Sequence, residues 1–248
     1  MENSKLRSIY EYSINNQTFN QWLASKIPDV DKVKVLELGS NSGLVWHDLK
    51  DRFRNSQIII CDDNPKRLEV ASKNLSGQGF EYKRTEFHKL PFEDSELDLV
   101  VSNHNLYRSK DLRKVLSEVN RVLRDGGIFV VTTNSTRHLK ELSDLMTPYG
   151  VDNFFGKGLI NTFDYENGAD KLDEYFEVVA QSLYENVMPV NDIASILSYL
   201  KSLDNPQINL LLQVRRMELI SYISNIIVNE GSFRITARPG MFICIKRS

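Results

Sequence analysis

Between Val33 and Thr133 short β-branched apolar runs alternate with amphipathic stretches of helical period, a pattern that predicts βαβ units and a parallel sheet. The apolar runs predict strands at Lys32–Leu38, Gln57–Cys61, Phe80–Arg84, Leu97–Ser102 and Ile128–Thr133. Between them, GLVWHDLKDRF, PKRLEVASKNL and KDLRKVLSEVNRVL predict helices. The second opens on Pro65, suited to a first helical turn, and the third stops before Gly126-Gly127.

Outside that stretch the alternation is less regular. NNQTFNQWLASKIP reads as a helix with an Asn cap, closed by Pro28. Further helices are expected at Arg137–Met146, Ala169–Phe176, Ile193–Leu203 and Ile208–Asn229. The last carries apolar residues at 208, 211, 212, 219, 220, 223, 226 and 227, a stripe suited to packing on the sheet or on a twin subunit. In GSFRITARPGMFICIKR two extended runs flank Arg-Pro-Gly-Met, whose Pro and Gly favour a type II turn. With YFEVVAQSLYENV, this hairpin is expected to add antiparallel strands to the edge of the parallel sheet.

At 248 residues the chain is long enough for one large domain, or one domain with a sizeable insertion. Hydrophobic residues at 41% and charged residues at 26% match a folded, water-soluble protein. A net charge of −2 argues against nucleic acid as the main partner, since grip on phosphates takes a basic surplus. No stretch approaches the roughly 18 apolar residues of a membrane span, and MENSKLRSIYEYS lacks a signal peptide's apolar core. The expectation is a cytoplasmic protein with no membrane partner. Cys61 and Cys244 both lie in β-like apolar runs, where cysteine acts as a small buried hydrophobe; they build neither a disulfide framework nor a metal site.

Candidate chemistry centres on VKVLELGSNSGLVW, a buried strand ending near an acid and followed by a small-residue turn and a helix. Gly39 and Gly43 let the backbone bend and approach a ligand at the strand's carboxyl end, where open α/β sheets bind ligands. The helix that follows points its amides at the same spot. A dinucleotide fingerprint would need glycines at 39, 41 and 44, but Asn41 and Leu44 stand at two of these, leaving less room for a pyrophosphate. In QIIICDDNP, Asp62 closes a second strand 25 positions after Glu37, where an acid that accepts from ribose hydroxyls is expected. Asp63 or Asn64 would cap the helix that follows.

The motifs LELGSNSG, CDDNP, TEFHKLPFEDSELDLVVSNHNLY and EVNRVLRDGGIFVVTTN occur in the order and at the spacings of class I S-adenosylmethionine-dependent methyltransferases, a family the chain resembles over nearly its whole length. It is similar in particular to a bacterial group with YSxNxQ, TTNGxxHxxEL and ENG segments, written here as YSINNQ, TTNSTRHLKEL and YENGADKL. The resemblance implies a Rossmann-like, doubly wound, mostly parallel seven-stranded sheet with an antiparallel edge strand and helical insertions forming a lid. It also implies three parts: an N-terminal helical cap over 1–30, a methyltransferase domain over 31–134 plus 171–248, and a helical insertion over 135–170.

For S-adenosyl-L-methionine the resemblance implies that Glu37, Gly39, Ser40, Asn41 and Gly43 frame the methionine end. Asp62, with Asp63 beside it, would hold the ribose. Glu86 would accept from the adenine amino group beside the Phe87 backbone, and Asn103 would face the methionine amino and carboxylate groups. Asn41 replaces the usual middle glycine, and Arg108 stands where a histidine often follows LY, on the substrate side. His104 is the first candidate for a general base, with Tyr10, Tyr12 and Tyr107 shaping an acceptor pocket; His104, Tyr12 and Tyr107 are the catalytic candidates. His47, His88 and His138 read as structural or surface residues. The segment Leu6–Gln17 is expected to fold over the cofactor as a lid. The implied partner is a small-molecule or peptide substrate, a natural product for instance, taken by a monomer or homodimer and methylated at an oxygen or nitrogen, possible carboxylates included. The rival reading is a non-catalytic cofactor-binding or interaction module on the same fold, and acceptor choice is assigned to the segments Ser135–Asp170 and Val190–Asn205.

Overall fold

The structure is a computed structural model that describes residues 7–28, 30, 32–53, 55–155 and 162–248. It divides into two compact units, one comprising Gln17–Ser135, Asn161–Tyr184 and Pro239–Ser248, the other Met1–Asn16, Thr136–Ile160 and Glu185–Arg238. These boundaries differ from the three parts drawn from the sequence, because 185–238 falls in the second unit.

The first unit holds β1 (Lys34–Leu38), β2 (Gln57–Asp62), β3 (Glu81–Arg84), β4 (Leu97–Asn103), β5 (Leu123–Asn134) and β6 (Phe176–Leu183). The second holds β7 (Asn186–Val190) and β8 (Phe233–Ala237), and the chain returns to the first unit for β9 (Pro239–Lys246). The large sheet runs β3-β2-β1-β4-β5-β9-β6. Strands β1 to β5 pair in parallel, whereas β9 pairs antiparallel with both β5 and β6. The antiparallel strand expected near the sheet's edge is therefore β9, second from the outside, and the fold is Rossmann-like and mostly parallel.

The helices are α1 (Phe19–Lys26), α2 (Trp46–Leu49), α3 (Pro65–Asn74), α4 (Leu112–Val122), α5 (Lys140–Met146), α6 (Gly168–Asp173), α7 (Ile193–Ser202), α8 (Pro206–Val214) and α9 (Arg216–Glu230). Side-chain alternation along β1 separates two layers. Leu36 and Leu38 pack with Val115, Leu116, Val119 and Val122 of α4. Val35 packs on the other face with Trp22 and Leu23 of α1 and Trp46 and Leu49 of α2. Burying both faces explains why the central strands are nearly continuous apolar runs. The second unit has its own core, in which Met188, Ile235, Ile196, Leu200, Ile208, Leu219 and Ile223 bring the β7–β8 pair against α7, α8 and α9.

Several local expectations change. Helix α1 is capped by Thr18 rather than an Asn, with Gln21 completing a capping box. The GLVWHDLKDRF helix is one α-turn, α2, continued by a 3-10 turn at Lys50–Phe53. The expected helix at Ile208–Asn229 is two helices broken at Arg215, whose guanidinium bonds Glu218 at 2.6 Å and lies 4.9 Å from the Tyr149 ring centroid.

The largest correction concerns the C-terminal hairpin, because Arg-Pro-Gly-Met is not a turn. Strand β8 pairs with β7 in a separate two-stranded sheet, while β9 starts at Pro239 within the large one. A strand's first residue is a position that tolerates Pro. At Gly240 a Cβ would come within 2.1 Å of the Tyr165 ring, so this glycine makes room for an aromatic side chain.

Among the described residues, no helix is long and apolar enough to cross a membrane, and no group of His, Cys, Asp and Glu could hold a metal ion. Cys61 and Cys244 are free and buried, with thiols pushed up to about 12 by burial.

Candidate functional site

The first unit gathers polar residues at the carboxyl ends of β1, β2, β3 and β4, the side of an open α/β sheet where ligands bind. Strand β1 ends at Leu38, and the chain reverses at Gly39, whose φ is +93° and whose N–H donates to the Cys61 carbonyl at 2.8 Å. Asn41 takes φ +43°. Asn is among the residues best able to adopt this left-handed conformation, so its place at the middle glycine position preserves the turn. Its side chain donates to the Asn103 carbonyl at 2.8 Å.

A residue that the sequence did not single out holds this turn. Asn105, buried just past β4, donates its amide to the carbonyls of Leu38 at 3.2 Å, Gly39 at 2.9 Å and Asn103 at 2.8 Å. The only sequence signal was its place two residues after Asn103, which does not separate a structural amide from a ligand contact.

Glu37 and Asp62 lie fully buried on neighbouring strands. Glu37 accepts from the Trp46 indole N–H. Burial pushes its carboxyl up to about 8, opposed by that hydrogen bond and reinforced by the charge of Asp62. Asp62 Oδ2 accepts from Ser40 N at 3.0 Å and Ser40 Oγ at 3.1 Å, while Oδ1 accepts from Asn64 N at 2.8 Å and faces Arg67 Nε at 3.2 Å. These contacts use about the four acceptor positions of a carboxylate. Asp62 thus fastens the glycine turn to the start of α3, and it is Asp63 that faces the adjoining cavity.

The cap of α3 is Asn64, whose side chain accepts from Lys66 N at 2.9 Å. Asn64→Ala is expected to lower stability by about 1 kcal/mol. Asp63→Ala, which removes only an exposed pair with Arg67 at 3.0 Å, should change it by less than about 0.5 kcal/mol. Chemical denaturation of the two variants checks the order, which the reverse result would overturn.

A cavity of about 800 Å³ opens beside these groups, lined by Asp63, Thr85, Glu86, Phe87 and Asn105 together with residues of the β4–α4 connection. Glu86 is exposed and pairs with His88 at 3.2 Å, and Phe87 packs against the core. Asn103 Oδ1 accepts from Thr132 Oγ1 at 2.7 Å. His104 is half-buried, with φ +54°, its N–H held by Thr132 and its ring 5.2 Å from that of Phe19. Burial, then the nearby Arg108 charge, lowers its pKa to about 4, which leaves the imidazole neutral at ordinary pH.

Tyr107 is half-buried against the core, with Arg108 over its ring at 5.4 Å. Tyr12 belongs to the second unit, where its hydroxyl lies 3.3 Å from Ser195 Oγ and Arg7 sits over its ring at 4.4 Å. In the same unit Tyr10 meets Tyr199 edge-on at 6.2 Å. Of the proposed lid segment, Leu6 lies outside the described residues, as do 156–161 of the insertion.

Residues 36–131 match the model of a family described as "Methyltransferase domain". The chain is 32% identical over 108 residues to malonyl-[acyl-carrier protein] O-methyltransferase 1 of Coxiella burnetii, covering 44% of this chain and 36% of that protein. It is 30% identical over 112 residues to the ubiquinone/menaquinone biosynthesis C-methyltransferase UbiE of Desulfotalea psychrophila, covering 45% of this chain and 46% of that one. The matched region therefore spans less than half of either relative. A geranyl diphosphate methyltransferase solved in complex with S-adenosylmethionine shares the fold, with a TM-score of 0.53 at 15% identity over 92% of this chain and 84% of the other. Sheet order and the turn after β1 agree with the fold of these methyltransferases, and the stretch that matches the methyltransferase domain model, 36–131, is the one that carries most of β1, β2 to β4, most of β5 and the glycine turn.

Proposed function

We propose that the chain transfers a methyl group from S-adenosyl-L-methionine to an oxygen or nitrogen, carboxylate oxygens included, on a small molecule or peptide natural product. The observation that carries this reading is the stapled turn at Gly39 beside a cavity that offers an acid, an aromatic ring and backbone polar groups together. That donor and acceptor set fits an adenosine carrying an amino acid. In this reading Gly39, Ser40, Asn41, Gly43 and Asn103 frame the methionine end, with Glu37 supporting the turn from below. Asp62 holds Ser40 in place, Asp63 takes the ribose hydroxyls, and Glu86 and Phe87 receive the adenine.

The cofactor supplies a methyl group on a sulfonium, which leaves as a neutral thioether. The protein's own work is then orientation, a contribution of several kcal/mol without covalent catalysis. His104, neutral and with no hydrogen-bond partner on its ring among the described residues, can accept from an acceptor O–H or N–H and hold its lone pair in line. A pKa near 4 makes it a positioning acceptor more than a strong base. Tyr107, in the same unit, is the further acceptor-side candidate. The relatives named for O- and for C-methylation leave the acceptor atom to experiment.

Calorimetry with S-adenosylhomocysteine tests the cofactor assignment. A micromolar Kd is expected, and no binding at about 1 mM, roughly −4 kcal/mol, would overturn it. Mass spectrometry of candidate acceptors incubated with a labelled methyl donor tests turnover; binding without transfer to any acceptor would favour the non-catalytic module.

A further inference from the structure

We propose that the Arg108, Lys110 and Lys114 side of the cavity is a subsite for a di- or polyanionic group on the methyl acceptor, an inference that rests on the methyltransferase reading above. Five permanent cations line this cavity, Arg67, Arg84, Arg108, Lys110 and Lys114, against the three carboxylates Asp63, Glu86 and Asp111. In a chain of net charge −2, that is a local reversal of sign.

The carboxylates are already engaged. Asp63 pairs with Arg67 at 3.0 Å, Glu86 with His88 at 3.2 Å, and Asp111 caps α4 by accepting from Lys114 N at 3.1 Å. Arg67 also meets Asp62, and Arg84 Nε donates to the Asp63 carbonyl at 3.3 Å. Three cations are left over. Among the described residues, the side chains of Lys110 and Lys114 make no ion pair or hydrogen bond, and Arg108, which lies over the Tyr107 ring and near His104, has no carboxylate partner.

These three come from the β4–α4 connection and the first turn of α4, so the local chain gathers them on one wall. Like charges in one concave site repel one another and raise its potential. A cofactor with a net positive charge gains nothing from that potential, whereas an anion does. One planar guanidinium and two mobile ammonium groups suit the several oxygens of a phosphate or of clustered carboxylates. Arg108 immediately follows Tyr107, already a candidate for the acceptor side, so the subsite would select acceptors by charge.

The test uses the full chain and two probes, inorganic pyrophosphate and citrate, titrated by calorimetry at low ionic strength with and without saturating S-adenosylhomocysteine. At least one anion is expected to bind with a Kd below about 1 mM. The triple variant R108Q/K110Q/K114Q, altered only at surface side chains, should weaken that binding by about tenfold or more, while S-adenosylhomocysteine affinity stays within about twofold. Preference for pyrophosphate assigns a phosphate-bearing acceptor, and preference for citrate a carboxylate-bearing one. The proposal is overturned if neither anion binds below about 10 mM, or if the triple variant binds them as the parent does. Failure of S-adenosylhomocysteine to bind, with anion binding still lost in the variant, would instead refute the methyltransferase reading and leave an anion site.

Discussion

Gly39→Ala should lower stability by about 2–4 kcal/mol and weaken S-adenosylhomocysteine binding by at least about 100-fold. At φ +93° an alanine is strained, and its Cβ would lie 2.2 Å from Asn105 Nδ2. The amide would have to leave, taking with it the hydrogen bonds to the Leu38, Gly39 and Asn103 carbonyls. The turn would lose its shape and its link to β4 in one step. Gly77→Ala is the matched control, since Gly77 has φ +77° but nothing near its missing Cβ; it should cost only about 1–2 kcal/mol, the backbone penalty alone. Denaturant titrations together with calorimetry measure both quantities. Equal effects of the two substitutions would show that Asn105 does not hold the turn.

Glu37→Gln should make the protein more stable at alkaline pH and remove much of its stability loss above neutrality. Burial raises the Glu37 carboxyl from 4.5 to about 8 in the folded chain. Between those values the unfolded chain has lost the proton and the folded chain keeps it, so folding takes up a proton and stability falls as pH rises. The contribution is complete below pH 4.5, declines through neutrality and is gone above about 8. A shift of this size corresponds to roughly 4–5 kcal/mol over the window. Glutamine keeps an acceptor for the Trp46 indole but cannot ionise. The variant is therefore expected to match the parent near pH 5 and exceed it by about 2–4 kcal/mol at pH 9, read from unfolding midpoints across pH. A parent and variant with parallel pH profiles would show that Glu37 is already ionised in the folded state.

The centre of the sheet was legible because β1, β2, β4 and the second half of β5 are buried on both faces and α4 carries one apolar stripe, so period and apolar content agree there. The glycine turn was legible because backbone reversal leaves a mark in residue type. The contacts of Asp62 with the Ser40 N–H and hydroxyl were not, since a strand-end acid reads as a ribose acceptor whether or not it also holds the turn beside it. The hairpin at Arg-Pro-Gly-Met failed for a similar reason. Gly240 records the Tyr165 ring packed on it, a contact between residues 75 apart in the chain that no local turn rule contains. The break at Arg215 has neither Gly nor Pro to announce it, and the apolar stripe continues across it.

The position of β9 sets an order on folding. Residues 239–246 stand between β5 and β6 and supply the pairing partner that both need. During synthesis, β6 leaves the ribosome before the strand that joins it to the sheet, and β5 waits for a neighbour encoded more than a hundred residues later. Closing so long a segment of chain before its contacts repay the entropy makes this step slow. Until it happens, one edge of β5 exposes unpaired backbone groups beside an apolar surface, the kind of edge on which other chains can add. The interval before β9 docks is thus when the nascent chain is most exposed to misassembly and most dependent on rapid arrival of residues 239–246.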